Sequence, residues 1–497
     1  MDEQIWANHL AGWRSFLSER IGHADDFGER VMLSRQLRTI ERVRFGAALN
    51  PSLISQFIRP TAAEATPYVL GETHLSLNDS QKRAVSAALD ESPLSLIQGP
   101  PGTGKTQVIA EICLQLLDSD PNARVLVCSE THVAVNNLFA RIADYASDYR
   151  LVRIRDKESD EVIDEFSPRA IVDSHLKWLE NVCTNAEVIA IIAGELSAVA
   201  NNSGSEDASL EKALALSSNV VGMTCNRVAS YDFRDSTEMF DVAIVDEACK
   251  ATLPEILAPL LVARKAVLVG DPMQLPPVFC SEERDVIDGI EGCNLCDLMY
   301  IDELFRHSGC AITLDTQYRM VDEIGNLISR TFYGHGLFNG RHEKRSDSLI
   351  WMDYTPTRDC PPKRRTQDGA TSVSNEDECQ IIAELLDRIY AEEDPDLRVA
   401  VISPYRAQVT LLRSAIGPFD NVVIDTVDGF QGKESDVVIF SVARTNGPFR
   451  FVDDERRLNV ALSRARDRII IVGSLDYCRT RSTLLSSIAD SCKISEV

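Results

Sequence analysis

Residues 99–106 read Gly99-Pro100-Pro101-Gly102-Thr103-Gly104-Lys105-Thr106, which matches the phosphate-binding pattern G-x-x-x-x-G-K-[ST] at every fixed position. The apolar residues 94–97 before it predict a buried strand, and residues 107–117 after it predict a helix. In this context the glycines let backbone N–H groups turn toward phosphates, while the positive end of the helix faces them. Lys105 is expected to reach the β and γ phosphates, and the Thr106 hydroxyl to hold Mg²⁺. The whole loop therefore predicts a nucleotide-phosphate site, which we favour over an ordinary glycine-rich turn.

The composition indicates a large globular chain. It has 497 residues, a net charge of −25 and a hydrophobic fraction of 44%, a length that suits about two to four domains. It contains no apolar stretch of membrane-spanning length and no signal peptide, so we expect no membrane partner and a cytoplasmic or nuclear location. Its 13 cysteines lack a paired framework, and reduced thiols are favoured over zinc ligation at Cys293 and Cys296. The acidic total argues against a broadly basic nucleic-acid binder but leaves room for a local basic cleft.

Two series of apolar segments predict parallel strands covered by helices on both faces. The first series lies at 94–97, 125–128, 220–224, 242–245 and 266–269, and the second at 311–314, 399–403, 422–425, 437–442 and 469–472. We therefore predict an α/β fold with two tandem parallel-sheet domains, at 75–305 and 306–497. An acidic helical insertion is expected at about 156–218. Residues 1–74 are predicted to form a helical segment and connector, whose Trp6 and Trp13 stripe is a packing face.

A pair of carboxylates follows the predicted strand at 240–245. Asp246 and Glu247 would be aimed at the same sheet edge as the phosphate loop, because parallel strands end together. Nucleotide hydrolysis needs a metal-holding carboxylate and a group that orients or deprotonates water. Asp246 suits the first role and Glu247 the second, whereas the alternative is an acidic strand end on the surface.

Further polar groups follow the predicted strand that ends in Gly270-Asp271-Pro272. Gln274 would lie in the cleft, where an amide can sense the γ-phosphate. Segments 317–320 and 459–466 supply arginines, which can stabilise the charge that spreads over the γ-phosphate oxygens.

These motifs, in this order, resemble the superfamily 1 helicases, in the branch (superfamily 1B) that contains the nonsense-mediated-decay RNA helicase, the senataxin group and the immunoglobulin-mu-binding-protein helicase. The resemblance covers about four fifths of the chain, from Leu77 to Gly473. The motifs that carry it are Leu77-Asn78-Asp79-Ser80-Gln81, the loop 99–106, Asp246-Glu247-Ala248, 270–277, Gln317-Tyr318-Arg319-Met320, 403–408, 427–434 and 457–466.

The resemblance implies two RecA-like domains that both contribute to one ATP site. It implies that Gln81 reads the adenine edge, Tyr318 stacks on the base and Glu434 contacts the ribose. It also implies that Arg319 and Arg464 are the γ-phosphate arginines. The activity implied is an ATP hydrolase that works as a helicase, with ATP and Mg²⁺ as cofactors.

The resemblance further implies a track for single-stranded RNA or DNA. It would run over Thr131, Asn136 and Thr224 in the first domain and over Pro404, Tyr405 and Thr426 in the second. RNA and 5′ to 3′ movement are favoured, and a monomer with protein partners in RNA metabolism is expected. Base contacts would be few, so RNA and DNA cannot be separated from the residues alone.

Two departures from the family pattern keep an alternative open. Relatives usually carry Pro-Ser-Asn where this chain has Glu130-Thr131-His132, and they insert a small β-barrel for which the residues ahead of the loop leave little room. A charged Glu130 would repel a phosphate backbone, unless its side chain points to solvent. The alternative function is a nucleic-acid-stimulated ATPase that acts as an ATP-gated RNA-binding or scaffold protein and unwinds weakly. A AAA+ machine is disfavoured, because such proteins take an arginine from a neighbouring subunit.

Overall fold

A computed structural model describes most of the chain and divides it by its contacts into two compact units. Unit 1 comprises Met1–Gln98, Lys105–Asp271 and Glu282–Thr313, and unit 2 comprises Gly99–Gly104, Pro272–Ser281 and Leu314–Val497. The described residues are 3–60, 68–130, 132–145, 149–155, 165–182, 185, 188, 190–191, 194, 206–231, 239–279, 281–290, 298–357, 364–365, 371–392, 394, 396–416, 421–449 and 451–497.

Unit 1 is built on a seven-stranded parallel sheet with strand order β3-β4-β2-β5-β6-β1-β7. Its strands are β1 (Leu94–Gln98), β2 (Val125–Ser129), β3 (Leu151–Arg153), β4 (Val220–Thr224), β5 (Phe240–Val245), β6 (Ala263–Gly270) and β7 (Ala311–Thr313). Every residue of β2 and β4 is buried. These strands are rich in valine, as expected when helices cover both faces of a parallel sheet.

Helices cover this sheet and also form the N-terminal part of unit 1. They are α1 (Glu3–His23), α2 (Phe27–Arg44), α3 (Pro51–Ile58), α4 (Asp79–Leu89), α5 (Lys105–Ser119), α6 (His132–Ala143), α7 (Pro168–Val182), α8 (Glu206–Ser217), α9 (Cys225–Ser230), α10 (Leu253–Leu260), α11 (Ser281–Gly289) and α12 (Tyr300–His307). The described residues ahead of β1 contain helices and no strand. Cys293 and Cys296 lie outside the described residues.

The aromatic stripe of α1 is a packing face, as the sequence predicts. Trp6 and Trp13 are both buried. The Trp6 ring lies 5.9 Å from the Phe57 ring of α3 and 5.4 Å from the Tyr300 ring of α12, between ring centroids. Contacts of this kind attach the N-terminal helices to the rest of unit 1.

Unit 2 is built on a six-stranded parallel sheet with strand order β14-β13-β15-β16-β10-β17. The strands of unit 2 are β8 (Thr316–Gln317), β9 (Phe338–Asn339), β10 (Leu349–Asp353), β11 (Arg364–Arg365), β12 (Thr371–Ser372), β13 (Val399–Ser403), β14 (Val422–Thr426), β15 (Ser435–Ser441), β16 (Ala465–Val472) and β17 (Lys493–Glu496). Its helices are α13 (Asp322–Phe332), α14 (Glu376–Glu392), α15 (Arg406–Ile416), α16 (Glu455–Leu462), α17 (Leu475–Arg481) and α18 (Thr483–Ala489). The predicted fold class, α/β with parallel sheets, is confirmed.

One predicted strand belongs to the other sheet. The order along the chain assigns residues 311–314 to the second series, but β7 pairs with β1 in unit 1, with Leu96 opposite Ala311. The reason is that a three-residue edge strand carries too little pattern to specify its partner, and long-range pairing decides it.

Candidate functional site

The phosphate loop connects β1 to α5 through a tight turn. Gly102 has φ 75° and Gly104 has φ 80°, values in the left-handed region that favours glycine. A Cβ placed on Gly102 would lie 2.7 Å from the Cβ of Arg319. The Thr103 hydroxyl donates to the Pro100 carbonyl over 2.7 Å, and the Tyr318 N–H donates to the Gly102 carbonyl over 2.9 Å. Glycine at 102 is therefore required both by the turn and by the close approach of Arg319.

The carboxylates predicted for catalysis follow β5 directly, and both lie in unit 1. Asp246 is buried, and the Glu247 N–H donates to its Oδ1 over 2.9 Å. Glu247 itself has φ 55°, a left-handed conformation that is uncommon for a residue with a side chain. The Lys105 Nζ lies 3.8 Å from the Glu247 Oε1. The first turn of α5 and the end of β5 therefore bring one ammonium and one carboxylate together.

Asp246 has a strongly shifted pKa. Burial, and after it the Glu247 charge, raise the pKa of this carboxyl to about 7 against the opposing effects of Lys105 and the Glu247 N–H. Two neighbouring carboxyl groups of which one is buried form a site that a cation would stabilise. Together with the Thr106 hydroxyl at the start of α5, this donor set fits an oxygen-liganded divalent cation.

The predicted arginines lie in unit 2 and are held by hydrogen bonds. Arg464 is buried just before β16, and its Nη2 donates to the Gln274 Oε1 over 3.0 Å. Arg319 follows β8, and its Nε lies 2.8 Å from the Glu434 Oε2. The Arg319 Nη1 also donates to the Ser463 carbonyl over 3.1 Å. Unit 2 therefore contains two couples at this place: Arg464 is hydrogen-bonded to Gln274, and Arg319 is ion-paired with Glu434.

Gln317 supports this arrangement, although our sequence reasoning gave it no role. It is fully buried, and its Oε1 accepts hydrogen bonds from the backbone N–H groups of Arg319 at 2.9 Å and Met320 at 2.7 Å. Its Nε2 donates to Asn339 over 2.9 Å. The sequence did offer a signal for this supporting role, namely the place of Gln317 in the motif 317–320. A glutamine that is buried inside a loop needs hydrogen-bond partners, and nearby backbone groups can supply them.

The two residues predicted to bind the adenine base of ATP have different environments. Tyr318 is 46% exposed, and a Cβ on Gly340 would collide with its ring, so glycine at 340 lets the ring lie against the backbone. Gln81 is buried in the first turn of α4, where its Oε1 accepts from the Asn78 N–H over 2.9 Å. The Gln81 side chain thus forms part of the N-terminal capping box of α4.

The residues predicted for the nucleic-acid track of unit 1 come after β2 or at the end of β4, and these two strands are neighbours in the sheet. Thr131 lies outside the described residues. Asn136 of α6 accepts from the Nε of buried Arg153 over 3.0 Å. Thr224 caps α9, with its hydroxyl accepting from the Arg227 N–H over 3.2 Å. Both described side chains therefore have roles within the protein.

The residues predicted for the track of unit 2 also lie at strand ends. Thr426 is the last residue of β14, and its hydroxyl accepts from the Gly429 N–H over 3.2 Å. Pro404 and Tyr405 follow β13, and both are buried. The Tyr405 hydroxyl accepts from the Nε of Arg444 over 2.7 Å. The carboxyl ends of neighbouring strands thus hold these three residues at one edge of the sheet.

The Glu130 side chain is half-buried. Its Oε1 is buried and accepts no hydrogen bond from the residues that the structure describes. Burial raises the pKa of this carboxyl to about 8, the Glu255 carboxylate adds to the rise, and Lys250 opposes it. At least one of the two carboxyl oxygens of Glu130 is therefore turned away from solvent. The repulsion expected from a charged Glu130 also becomes weaker near neutral pH, because much of the carboxyl population is protonated.

Comparison with known proteins identifies the family of this chain. Two family models, each described as an AAA domain, match residues 76–196 and 185–282 and residues 299–476. The DNA polymerase alpha-associated DNA helicase A of Saccharomyces cerevisiae is 30% identical over 476 residues, which cover 84% of this chain and 68% of the relative. The ATP-dependent helicase NAM7 of the same yeast is 32% identical over 424 residues, which cover 80% of this chain and 42% of the relative. The chain thus spans less than half of the latter protein.

Among solved structures, this chain is similar to the arterivirus nonstructural protein 10 helicase in complex with DNA. The alignment covers 80% of this chain and 62% of the viral helicase chain. The identity is 13% and the TM-score 0.40, so no residue role is transferred from it. Among the described helices, none is long and apolar enough to cross a membrane. On its sequence relatives and its motifs, the chain belongs to the ATP-hydrolysing superfamily 1 helicases, in the branch of the nonsense-mediated-decay RNA helicase, the senataxin group and the immunoglobulin-mu-binding-protein helicase.

Proposed function

We propose that this chain uses ATP to move along single-stranded nucleic acid, RNA in preference to DNA, in the 5′ to 3′ direction. The observation that carries the proposal is the 3.8 Å separation between the Lys105 Nζ and the Glu247 Oε1, next to buried Asp246. Hydrolysis needs a cation on the phosphates and a carboxylate at the attacking water, in one place. A loop that only bound a nucleotide would not need Glu247.

The residues of unit 1 divide the first part of the chemistry. The N–H groups at the start of α5 face the phosphates, and Lys105 exchanges Glu247 for the β and γ oxygens when ATP binds. Glu247, released from that contact, orients the attacking water and accepts its proton. Thr106 and Asp246 would hold Mg²⁺, which neutralises phosphate charge when it is bound.

The residues of unit 2 stabilise the charge that develops on the transferred phosphoryl group. Arg319 and Arg464 supply guanidinium groups, and Gln274 is positioned by the Nη2 of Arg464 at 3.0 Å. Glu434 pairs with Arg319 at 2.8 Å and would contact the ribose, so nucleotide binding is expected to rearrange this couple. Tyr318, with much of its ring exposed, would stack on the base, and Gln81 would read the adenine edge.

Strand binding is proposed to be mainly to the sugar-phosphate backbone, through Thr131, Asn136, Thr224, Pro404, Tyr405 and Thr426. Such contacts carry little base information. Preference for RNA and the direction of movement rest on the family resemblance. One relative is named as a DNA helicase, so DNA is the competing substrate. We further propose a monomer in the cytoplasm or nucleus, with protein partners in RNA metabolism.

A second candidate is an ATP-gated binding or scaffold protein that hydrolyses ATP but unwinds weakly. It is favoured by the burial of Pro404, Tyr405 and Thr224, since buried side chains offer a strand little area. The two candidates share the ATP site and differ in whether hydrolysis separates strands.

The test combines two assays on the full chain. ATP turnover is titrated with single-stranded RNA and DNA of equal length, and strand displacement is followed on duplexes with a 5′ or a 3′ tail. We expect stimulation by RNA above that by DNA, and displacement from the 5′ tail only. Lys105→Ala should abolish both signals, because the phosphates lose their point cation. Stimulation without displacement would favour the second candidate, and absence of stimulation by either strand would overturn both.

A further inference from the structure

The sheet order of unit 2 places a third strand end beside the predicted track. Strands β14, β13 and β15 are neighbours, all parallel, so their carboxyl ends meet at one edge. Thr426 ends β14, and Tyr405 follows β13. Arg444 lies three residues after β15, next to Tyr405.

Arg444 presents its guanidinium at this edge. Its Nε donates to the Tyr405 hydroxyl over 2.7 Å, and its Nη1 donates to the Asn446 carbonyl over 3.1 Å. The guanidinium carbon lies 5.3 Å from the centroid of the Tyr405 ring. An arginine has five N–H groups in a planar fork that suits phosphate oxygens. Arg444 is thus held in place by its neighbours, and within the described part of the chain these contacts use only some of its donors.

Phe451 continues the row on the other side of Tyr405. It is 39% exposed, and its ring centroid lies 5.5 Å from that of Tyr405 with 37° between the ring planes. The guanidinium carbon of Arg457 lies 4.0 Å from the Phe451 ring centroid, and its Nη1 donates to Asp454 over 3.3 Å. These contacts form a row of two adjacent rings, Tyr405 and Phe451, with the Arg444 guanidinium at one end and the Arg457 guanidinium at the other. We call these four residues the arginine–aromatic row.

A buried carboxyl fixes the backbone that leads into Arg444. Ala443 has φ 60°, a left-handed conformation that residues with a Cβ rarely adopt. Its N–H donates to the Oε2 of Glu378 over 2.8 Å, and the Ser441 hydroxyl donates to the same oxygen over 2.6 Å. The Glu378 Oε1 accepts from Tyr354 over 3.1 Å. Glu378 is fully buried and is a positioning residue for Arg444.

We propose that the arginine–aromatic row is a binding surface for single-stranded nucleic acid, with Arg444 on a phosphate and Phe451 under a base. This inference rests on the proposed function. In a chain of net charge −25, a strand needs a local surface where guanidinium groups and an exposed ring lie together, and this surface has both. Positive groups together with aromatic rings are the usual composition of such sites, because cations contact the phosphates and every base offers a face for stacking.

The test measures the affinity of the full chain for a labelled single-stranded RNA by fluorescence anisotropy over a series of salt concentrations. Arg444→Gln should weaken binding and reduce the slope of log K against log salt by about 0.7, since one phosphate contact is lost. Phe451→Ala should weaken binding roughly 5- to 100-fold without changing that slope. Phe451→Trp should restore the affinity, because stacking area returns. Thermal melting of each variant checks that it is folded.

Two matched controls separate this surface from general effects. Arg398 lies at the amino end of β13, opposite to Tyr405, where its Nη2 pairs with Asp436 at 3.0 Å. Phe45 of unit 1 is an exposed phenylalanine that follows α2. Arg398→Gln and Phe45→Ala should bind RNA like the parent. If the parent binds RNA and Arg444→Gln and Phe451→Ala bind as the controls do, the inference is refuted while the proposed function stands. A parent that binds no single strand at low salt refutes both.

The positioning role of Glu378 is tested by a double-mutant cycle. Glu378→Gln replaces an acceptor of the Ala443 N–H and should release Arg444, so adding Arg444→Gln should cost little further affinity. Glu378→Asp should recover part of the coupling, because it keeps a carboxylate. If the effects of the two substitutions on the binding free energy are additive, Glu378 contributes to stability alone and the proposed positioning role is wrong.

Discussion

Glu130 of unit 1 is half-buried and Glu378 of unit 2 is fully buried. Both lie beside strand ends that we propose to bind nucleic acid, and their carboxyl groups have different surroundings. Glu130 directly follows β2, and its buried Oε1 accepts no hydrogen bond from the described part of the chain. Glu378 accepts from the Ser441 and Tyr354 hydroxyls and the Ala443 N–H. The first carboxyl can become neutral only by binding a proton, whereas the second has donors that stabilise its charge.

The pKa values follow this difference. Burial raises the pKa of Glu130 to about 8 and that of Glu378 to about 7, although Glu378 is the more deeply buried. The three donors account for the smaller rise, because hydrogen bonds to a carboxylate favour its charged form. An acidic residue next to a binding edge is therefore not a fixed negative charge, and its neighbours decide at which pH it repels a strand.

The contrast also extends to the groups that we propose to act on ATP, which are carboxylates in unit 1 and guanidinium groups in unit 2. The largest effect should come from unit 2. Arg464→Gln, and separately Arg319→Gln, should lower ATP turnover by about 10³-fold, as removal of an arginine finger does, with little change in Mg-nucleotide affinity. Steady-state turnover and nucleotide titration measure the two quantities. Arg479→Gln, which removes an exposed pair with Asp490, is the control, and turnover within tenfold of the parent would contradict the assignment.

The second-largest loss of ATP turnover should come from substitution of Glu247 in unit 1. Glu247→Gln should slow turnover by about 10²-fold or more while ATP still binds, because the water loses its general base. Single-turnover hydrolysis and nucleotide binding distinguish these steps. Glu384→Gln, on the exposed face of α14, should behave as the parent. Near-normal hydrolysis in Glu247→Gln would show that another group accepts the proton and that the role proposed for Glu247 is wrong.

The two buried glutamates should respond to amide substitution with opposite signs. Both folded-state pKa values are raised above the ordinary value of 4.5, so each carboxyl costs stability as pH rises from 4.5 toward about 8 for Glu130 and about 7 for Glu378. Glu130→Gln removes that cost without losing a hydrogen bond, and should gain on the order of 2 kcal/mol over the parent between pH 5 and 8.5. Glu378→Gln keeps one accepting oxygen and replaces the other with a donating amide group. At least one of the three donors to Glu378 then loses its acceptor, and the variant should lose about 1–3 kcal/mol near pH 6.

Urea unfolding of the parent and both variants at several pH values measures these differences, with Glu384→Gln as the exposed control. A Glu130→Gln variant whose advantage does not grow with pH would mean that the carboxyl titrates near its ordinary value. A Glu378→Gln variant as stable as the parent would mean that its donors find other partners, and the contrast between the two sites would disappear.

The sequence predicts the parts of the site that local patterns determine. A glycine-rich loop between an apolar segment and a helix, and the acids that follow β5, are encoded within a few residues, so 99–106, Asp246 and Glu247 were identified without the structure. Roles that depend on packing from distant elements could not be predicted from these local patterns. The raised pKa of Glu130 depends on its burial and on the charge of Glu255 in α10, and the donors to Glu378 come from the end of β15, the residues just after it and the segment after β10. The pairing of β7 with β1 likewise depends on long-range contacts that a three-residue pattern does not encode.

The smallest effect we expect concerns Glu130 and strand affinity. The family pattern suggests that a charge at this position repels the phosphate backbone, but a pKa of about 8 confines most of that charge to alkaline conditions. Glu130→Ala and the isosteric Glu130→Gln should therefore bind single-stranded RNA nearly as the parent does at pH 6.5. At pH 9 they should bind up to about fivefold more tightly, by analogy with about 1 kcal/mol for a partly screened charge pair. Anisotropy at low salt measures the ratio of affinities at each pH. A ratio that stays constant from pH 6.5 to 9 would show that the Glu130 carboxylate does not act on the strand, and that its departure from the family pattern affects stability alone.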